Sequence, residues 1–208
     1  MKFYLSSYKL GNETDKLKRL SESTNKKFAY ISNALDFTGH DLERRKKHEE
    51  GDMSDLRSLG IDVELLDLRS YFGKQDEFSE KLLALGGLYI SGGNTFVLRQ
   101  AMKLSGFDTL ILEMSDRENF VYAGYSAGVC VLTPTLRAYA ITDDAGNFPY
   151  PDITEQIWDG LGIVDFVFEP HYDSDHKESE STDKEIKWCI ENKILFKAYR
   201  DGEVLIIE

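Results

Sequence analysis

Short apolar runs alternate with longer polar stretches along the chain. The runs fall at residues 2–6, 28–32, 63–68, 88–91, 120–123 and 166–169. Each has the length of a β-strand, and most are rich in the Tyr, Phe, Val or Ile that suit a pleated sheet. The intervals carry helical spacing. Leu17 and Leu20 lie three apart within 14–21, and 41–59 holds Glu43 and Lys47 one turn apart, with Gly51 as a candidate break. Residues 76–85 precede the fourth run, 95–104 put Leu98, Ala101 and Met102 on one face, and 177–192 carry Ile186, Trp188 and Ile190. This rhythm predicts an α/β fold: a mostly parallel sheet covered by helices on both faces. At the C-terminus, 194–200 and 203–207 flank Asp201-Gly202, which predicts a β-hairpin. The least regular stretch, 140–160, contains Gly146, Pro149, Pro151 and Gly160, and predicts a long loop near the functional edge of the sheet.

Composition narrows the class. A chain of 208 residues fits a single domain over 1–208. Lys and Arg number 25 against 37 Asp and Glu, a formal net charge of −12. Such a surface repels phosphate backbones, so a nucleic-acid partner is disfavoured. Two cysteines, Cys130 and Cys189, are too few for a disulfide framework. The first residues lack the apolar core of a secretory signal, and no run reaches the ~18 apolar residues of a membrane helix. A cytoplasmic protein with no membrane partner is the expectation.

The sharpest chemical signal is Gly124-Tyr125-Ser126-Ala127-Gly128. It fits G-x-S-x-G between a predicted strand and a predicted helix start, where a serine oxygen projects from a tight corner flanked by glycines. The helix N-terminus adds free N–H groups for an oxyanion. A plain turn with an N-capping serine would use the same residues. The second signal, Ser91-Gly92-Gly93-Asn94-Thr95-Phe96, also joins a strand to a helix. It lacks the endings of a P-loop or a dinucleotide fingerprint. Two consecutive parallel strands bring both turns to one sheet edge, where the amides of Gly93 and Ala127 would together form an oxyanion hole.

A serine needs a base, and the histidines are His40, His48, His171 and His176. His48 sits in a charged helical run and reads as solvated, and His40 has no marked context. His171 ends a strand-like run, as Ser126 does, and is the preferred base, with His176 in reserve. For the acid, Asp143, Asp144, Asp173 and Asp201 are all open, Asp201 standing at a tight turn. Glu169, His171, Asp173, Asp175 and His176 also form a cluster of ligand types, but without the spacing of a zinc motif, so no metal or other cofactor is expected. Cys130, inside the helix after the elbow, is a poorer nucleophile candidate, and Cys189 reads as core.

Gly92-Gly93-Asn94-Thr95-Phe96, Gly124-Tyr125-Ser126-Ala127-Gly128 and Pro170-His171-Tyr172, in that order, resemble the aspartyl dipeptidase (dipeptidase E) family of serine peptidases, peptidase family S51, whose relatives include cyanophycinases. The resemblance runs over nearly the whole chain. It implies a flavodoxin-like sheet akin to class I glutamine amidotransferases. It implies Ser126 as nucleophile, His171 as base, Asp201 as third member with Asp143 as the alternative, and Gly93 and Ala127 as oxyanion-hole amides. Arg137 matches an arginine near the dipeptidase site and would hold a substrate carboxylate. Tyr125 and Cys130 stand where the best-known members carry Trp and Asn. The implied partner is a small peptide, a dipeptide with an acidic N-terminal residue; the implied assembly, if any, is a homodimer. A non-catalytic binding protein of the same fold and an esterase using the same serine are the rival classes.

Overall fold

The protein is described here by a computed structural model that covers residues 1–37 and 41–208. Strands β1 (Lys2–Ser6), β2 (Lys27–Ile31), β3 (Asp62–Leu65), β4 (Gly87–Ile90) and β5 (Val121–Tyr125) run parallel in the spatial order β3-β2-β4-β5-β1. Counted from the second strand, this is the flavodoxin order 2-1-3-4-5, with the N-terminal strand filling the fifth place. The predicted parallel sheet is therefore present, in a permuted order that periodicity does not encode.

The strands alternate between two cores. Leu5, Ala29, Ile31, Leu88, Ile90 and Tyr122 face one side, where α3 (Gln75–Leu83), α4 (Thr95–Ser105) and α5 (Phe107–Glu113) bury Phe78, Leu98, Met102, Phe107 and Ile111 against them. Tyr4, Phe28, Tyr30, Tyr89, Val121 and Tyr125 face the other, covered by Leu17 and Leu20 of α1 (Thr14–Glu22) and Leu56 of α2 (Leu42–Ser58). Both faces of each central strand are apolar because both are covered. The outermost strand, β3, exposes Asp62 and Glu64, charges that discourage edge pairing. Helix α2 begins at Asp41, whose carboxylate accepts from the Glu43 and Arg44 amides, and runs through Gly51 without a break.

The C-terminal quarter departs from the simple pattern. The run at 166–169 becomes β6 (Val167–Glu169), which lies outside the main sheet and pairs in parallel with β7 (Phe196–Ala198). The final strand, β8 (Val204–Ile207), pairs antiparallel with β1 at the edge of the main sheet. Both strands of the expected terminal hairpin are present, and Asp201-Gly202 makes the turn between them, with Gly202 at φ 96° and the Glu203 amide donating to Arg200 O at 2.9 Å. They do not pair with each other; each joins a different sheet. A third apolar cluster, with Phe96, Cys130, Tyr139, Val167 and Cys189, packs the short α6 (Ala127–Cys130) against β6 and α7 (Ser179–Glu191). Cys189 is core, as its sequence context implied. Among the described residues no helix is long and apolar enough to cross a membrane.

Candidate active site

Ser126 stands between β5 and α6 with φ 47° and ψ −119°. A non-glycine residue rarely takes positive φ, and the surrounding packing must hold it there. The glycines around it permit this close packing. A Cβ on Gly124 would lie 2.8 Å from Ile90 O, one on Gly128 2.3 Å from the same oxygen, and one on Gly92 3.1 Å from Ser126 Cβ. The β4 and β5 turns are thus packed against each other, as their common sheet edge predicted. Gly93 has φ 143°, and a Cβ there would meet Ala34 O at 2.5 Å, so only glycine fits. Asn94 then caps α4, its Oδ1 accepting from the Val97 amide at 2.9 Å. Among the described residues, neither the Gly93 nor the Ala127 N–H has a hydrogen-bond acceptor in the protein. Two unspent amides beside a projecting serine are what an oxyanion requires.

His171 follows β6, also with positive φ (63°), and is almost fully buried. Its Nδ1 lies 2.7 Å from Asp201 Oδ1. That contact fixes the tautomer: Nδ1 carries the proton toward the carboxylate, leaving Nε2 as the basic atom. Ser126 and His171 both line one small cavity of about 20 Å³. Burial pushes the imidazole below its usual pKa, against the opposing pull of Asp201. The ring is therefore neutral, and able to accept a proton, at neutral pH.

A further residue, which no sequence motif marks, completes this arrangement. Ser7, fully buried just after β1, places Oγ 3.0 Å from Asp201 Oδ1 and 3.2 Å from Tyr199 O, its single proton serving one or the other, and accepts from the His171 amide at 2.9 Å. Ser174 Oγ accepts from the Asp201 amide at 2.8 Å. The available signal was position: Ser7 follows a parallel strand at the edge that carries ligands.

The other candidates separate. Asp143 lines the cavity, but its Oδ2 accepts from the Thr95 amide at 2.8 Å, so it occupies the N-terminus of α4 rather than the Nδ1 side of His171. Burial raises its pKa to about 6. Asp144 O holds Asn94 Nδ2 at 3.0 Å, tying the expected loop down onto α4. Asp173 pairs with Arg200 at 2.7 Å. His176 stacks on His171 with ring centroids 3.7 Å apart and planes 10° from parallel. Cys130 is buried and its thiol pKa is driven up by burial, which does not suit a nucleophile. His48 is not simply solvated: its Nε2 lies 2.6 Å from Tyr125 Oη and 3.2 Å from Asp52, because α2 packs across the end of β5. His40 lies outside the described residues. Arg137 is exposed and sits 4.8 Å over the Trp158 ring, and it is not among the residues lining the cavity.

The five-residue ligand cluster does not converge. Glu169 points into the core beside Cys189 and Glu185, and among the described residues only His171, His176 and Glu178 bring ligand atoms within 4.8 Å of one another. The two rings in that trio are stacked, so their in-plane lone pairs run side by side instead of meeting at one ion. The His171 Nδ1 is also spent on Asp201.

With the geometry in place, comparison with known proteins assigns the chain. The model of peptidase family S51 matches residues 6–208. The chain belongs to peptidase family S51. Curated relatives include the uncharacterized peptidase Lmo0363 of Listeria monocytogenes, 34% identical over 137 residues. That match covers 66% of this chain and 63% of the relative. A second, the uncharacterized peptidase Lin0382 of Listeria innocua, is 36% identical over 121 residues, covering 57% of this chain and 54% of that protein. Each match therefore spans less than two thirds of the relative. Among solved structures, a Listeria monocytogenes protein provisionally assigned as peptidase E superposes with a TM-score of 0.71 at 25% identity, covering 100% of this chain and 98% of that one. A peptidase from an acI-B1 actinobacterium gives 0.68 at 17% identity over 100% and 83% of the two chains, a likeness of fold. These similarities carry the S51 fold across the whole chain.

Proposed function

We propose that this S51 member is a serine hydrolase that cleaves small peptides through an acyl-enzyme on Ser126. The observation that carries the reading is the His171 Nδ1 to Asp201 contact at 2.7 Å, on a ring that shares a cavity with a serine held at positive φ. Ser126 Oγ attacks the scissile carbonyl carbon while His171 Nε2 takes its proton. The carbonyl oxygen becomes an oxyanion received by the Gly93 and Ala127 amides. Asp201 stabilises the imidazolium, which then gives its proton to the leaving amine as the C–N bond breaks. Water, deprotonated by the same Nε2, attacks the ester carbonyl and releases Ser126. The cavity is narrow, about 20 Å³ and walled by Tyr139, Thr142 and Pro170, which supports a small peptide in preference to a protein chain. The acidic N-terminal residue expected from the resemblance rested on Arg137, which stacks on Trp158 instead.

A fluorophosphonate probe tests the proposal. The wild type is expected to gain a covalent adduct on Ser126, located by peptide mass spectrometry, and Ser126→Ala to gain none. A folded wild type that stays unlabelled would overturn the serine mechanism.

A further inference from the structure

Behind the reacting pair, the cavity wall carries an excess of negative groups. Asp143, Glu178 and Glu185 all line it, and among the described residues no lysine or arginine does. Glu185 is the deepest of the three. It projects from α7 at 3% exposure, beside the fully buried Glu169. Glu185 Oε1 and Glu169 Oε2 are buried with no hydrogen-bond partner, and so is Thr142 Oγ1 on the same wall. Glu169 Oε1 takes only the weak Cys189 thiol, at 3.4 Å, and the Thr142 hydroxyl is the donor that faces Glu185.

Such an arrangement is costly as it stands. A buried carboxylate without a donor forfeits its hydration, and two side by side repel. Burial pushes both carboxyls above their usual range, and the charge of Glu169 pushes Glu185 further. The empty pair thus retains a proton. Catalysis as described above uses neither residue, and an apolar pair would pack this wall at lower cost. What Glu185 offers is an unpartnered acceptor oxygen on the wall of the cavity that Ser126 and His171 line.

We propose that Glu185, backed by Glu169 and flanked by Asp143 and Glu178, forms a subsite for a positively charged organic group of the substrate. An ammonium or guanidinium would supply the missing donors and displace the shared proton. The group comes from either the free N-terminus of a short peptide or a basic side chain; the chemistry recognised is the same. The proposal rests on the Ser126 hydrolase reading, since it names what that site accepts. It does not need the acidic substrate residue, in keeping with the placement of Arg137 outside the cavity lining.

The test is a substrate panel on the intact protein: Lys-Ala, Nα-acetyl-Lys-Ala, Ala-Ala, acetyl-Ala-Ala and Asp-Ala. The wild type is expected to favour cationic over acetyl-Ala-Ala substrate by at least about tenfold in kcat/KM, the return on one charge-assisted hydrogen bond. Retained activity on Nα-acetyl-Lys-Ala assigns the subsite to a side chain; retained activity on Ala-Ala alone assigns it to the N-terminus. Glu185→Gln, folded by thermal melting, is expected to collapse that preference. Asp143→Asn, which keeps the acceptor at Thr95, serves as a second variant and should weaken it. Two results overturn the subsite: a probe-reactive wild type that hydrolyses acetyl-Ala-Ala as well as it does the free-amine and lysyl substrates, or a Glu185→Gln enzyme that loses all substrates in equal proportion. Should Ser126 fail to label, the hydrolase reading falls separately. Calorimetric binding of lysinamide to wild type and Glu185→Gln then decides the subsite, equal affinities or none refuting it.

Discussion

Replacing Asp201 by Asn would isolate what the carboxylate does for His171. The substitution keeps size and shape but removes the charge that the imidazolium meets when it accepts the Ser126 proton. In the structure, Oδ1 lies 2.7 Å from Nδ1, and the Asp201 side chain is 23% exposed. Two unit charges about 4 Å apart attract by about 4 kcal/mol at the effective dielectric of a partly buried site. The partial exposure of Asp201 trims this to about 2–4 kcal/mol. That attraction exists only when His171 is charged, hence in the transition state and not in the ground state. The expected loss is therefore about 30- to 1,000-fold in kcat/KM at 1.36 kcal/mol per decade, carried by kcat with KM little changed. The assay is steady-state hydrolysis of a chromogenic dipeptide anilide, paired with the rate of fluorophosphonate labelling. Both should fall together, since both need a deprotonated Ser126. A loss under about threefold, or one confined to KM, would refute the assignment of Asp201 to the charged imidazole.

Further outcomes follow from the same geometry. Ser7→Ala removes one hydrogen bond to Asp201 and the acceptor of the His171 amide; kcat/KM should drop about 12- to 160-fold, the worth of a hydrogen bond to a charged group, at unchanged KM. Because burial lowers the His171 pKa and the base must be neutral, the acid limb of kcat/KM should lie below pH about 6.5. Asp201 opposes that lowering, so in Asp201→Asn the limb should move further down, and an upward shift in the pH profile would contradict it. Gly128→Ala forces a Cβ to within 2.3 Å of Ile90 O, between two backbones that cannot yield; a cost of about 1–3 kcal/mol should appear as a lower midpoint in thermal melting.

Much of the fold was legible because it is written in local alternation. Strands such as Lys27–Ile31 are apolar on both faces, and that pattern predicts a covered parallel strand regardless of its neighbours. The elbow was legible for a related reason: Gly-x-Ser-x-Gly between a strand and a helix reports a local steric demand, and Ser126 does adopt positive φ. The spatial order of the strands was not legible, since pairing is decided by which faces meet after the helices cross over. The three-residue β6 reads like any other apolar run, and nothing in Val167–Glu169 distinguishes a main-sheet partner from β7. His48 looked solvated because its helical neighbours are charged; only the packing of α2 across the β5 end turns its ring onto Tyr125. Ser7 left no trace because a single serine after a strand is common, and its worth depends on Asp201, 194 residues away.

The terminal Asp201-Gly202 turn shows why the candidate triad assembles at all. An Asp-Gly turn between two apolar runs normally folds them onto each other. Here the strand before the turn, β7, extends the ladder of β6, with the Tyr199 amide donating to Glu169 O at 2.9 Å and the Tyr172 amide to Tyr199 O at 3.1 Å. The strand after it, β8, lies along β1, with the Ser7 amide donating to Glu203 O at 3.1 Å. The turn is therefore the bridge between two sheets, one ending in His171 and the other in Ser7. Asp201 is held at that junction by both, through Ser7 Oγ on one side and His171 Nδ1 on the other. A paired hairpin would carry Asp201 on one sheet only. Splitting the strands fixes the carboxylate relative to the base and to the edge of the sheet that carries Ser126, which is the rigidity that a preorganised proton relay demands.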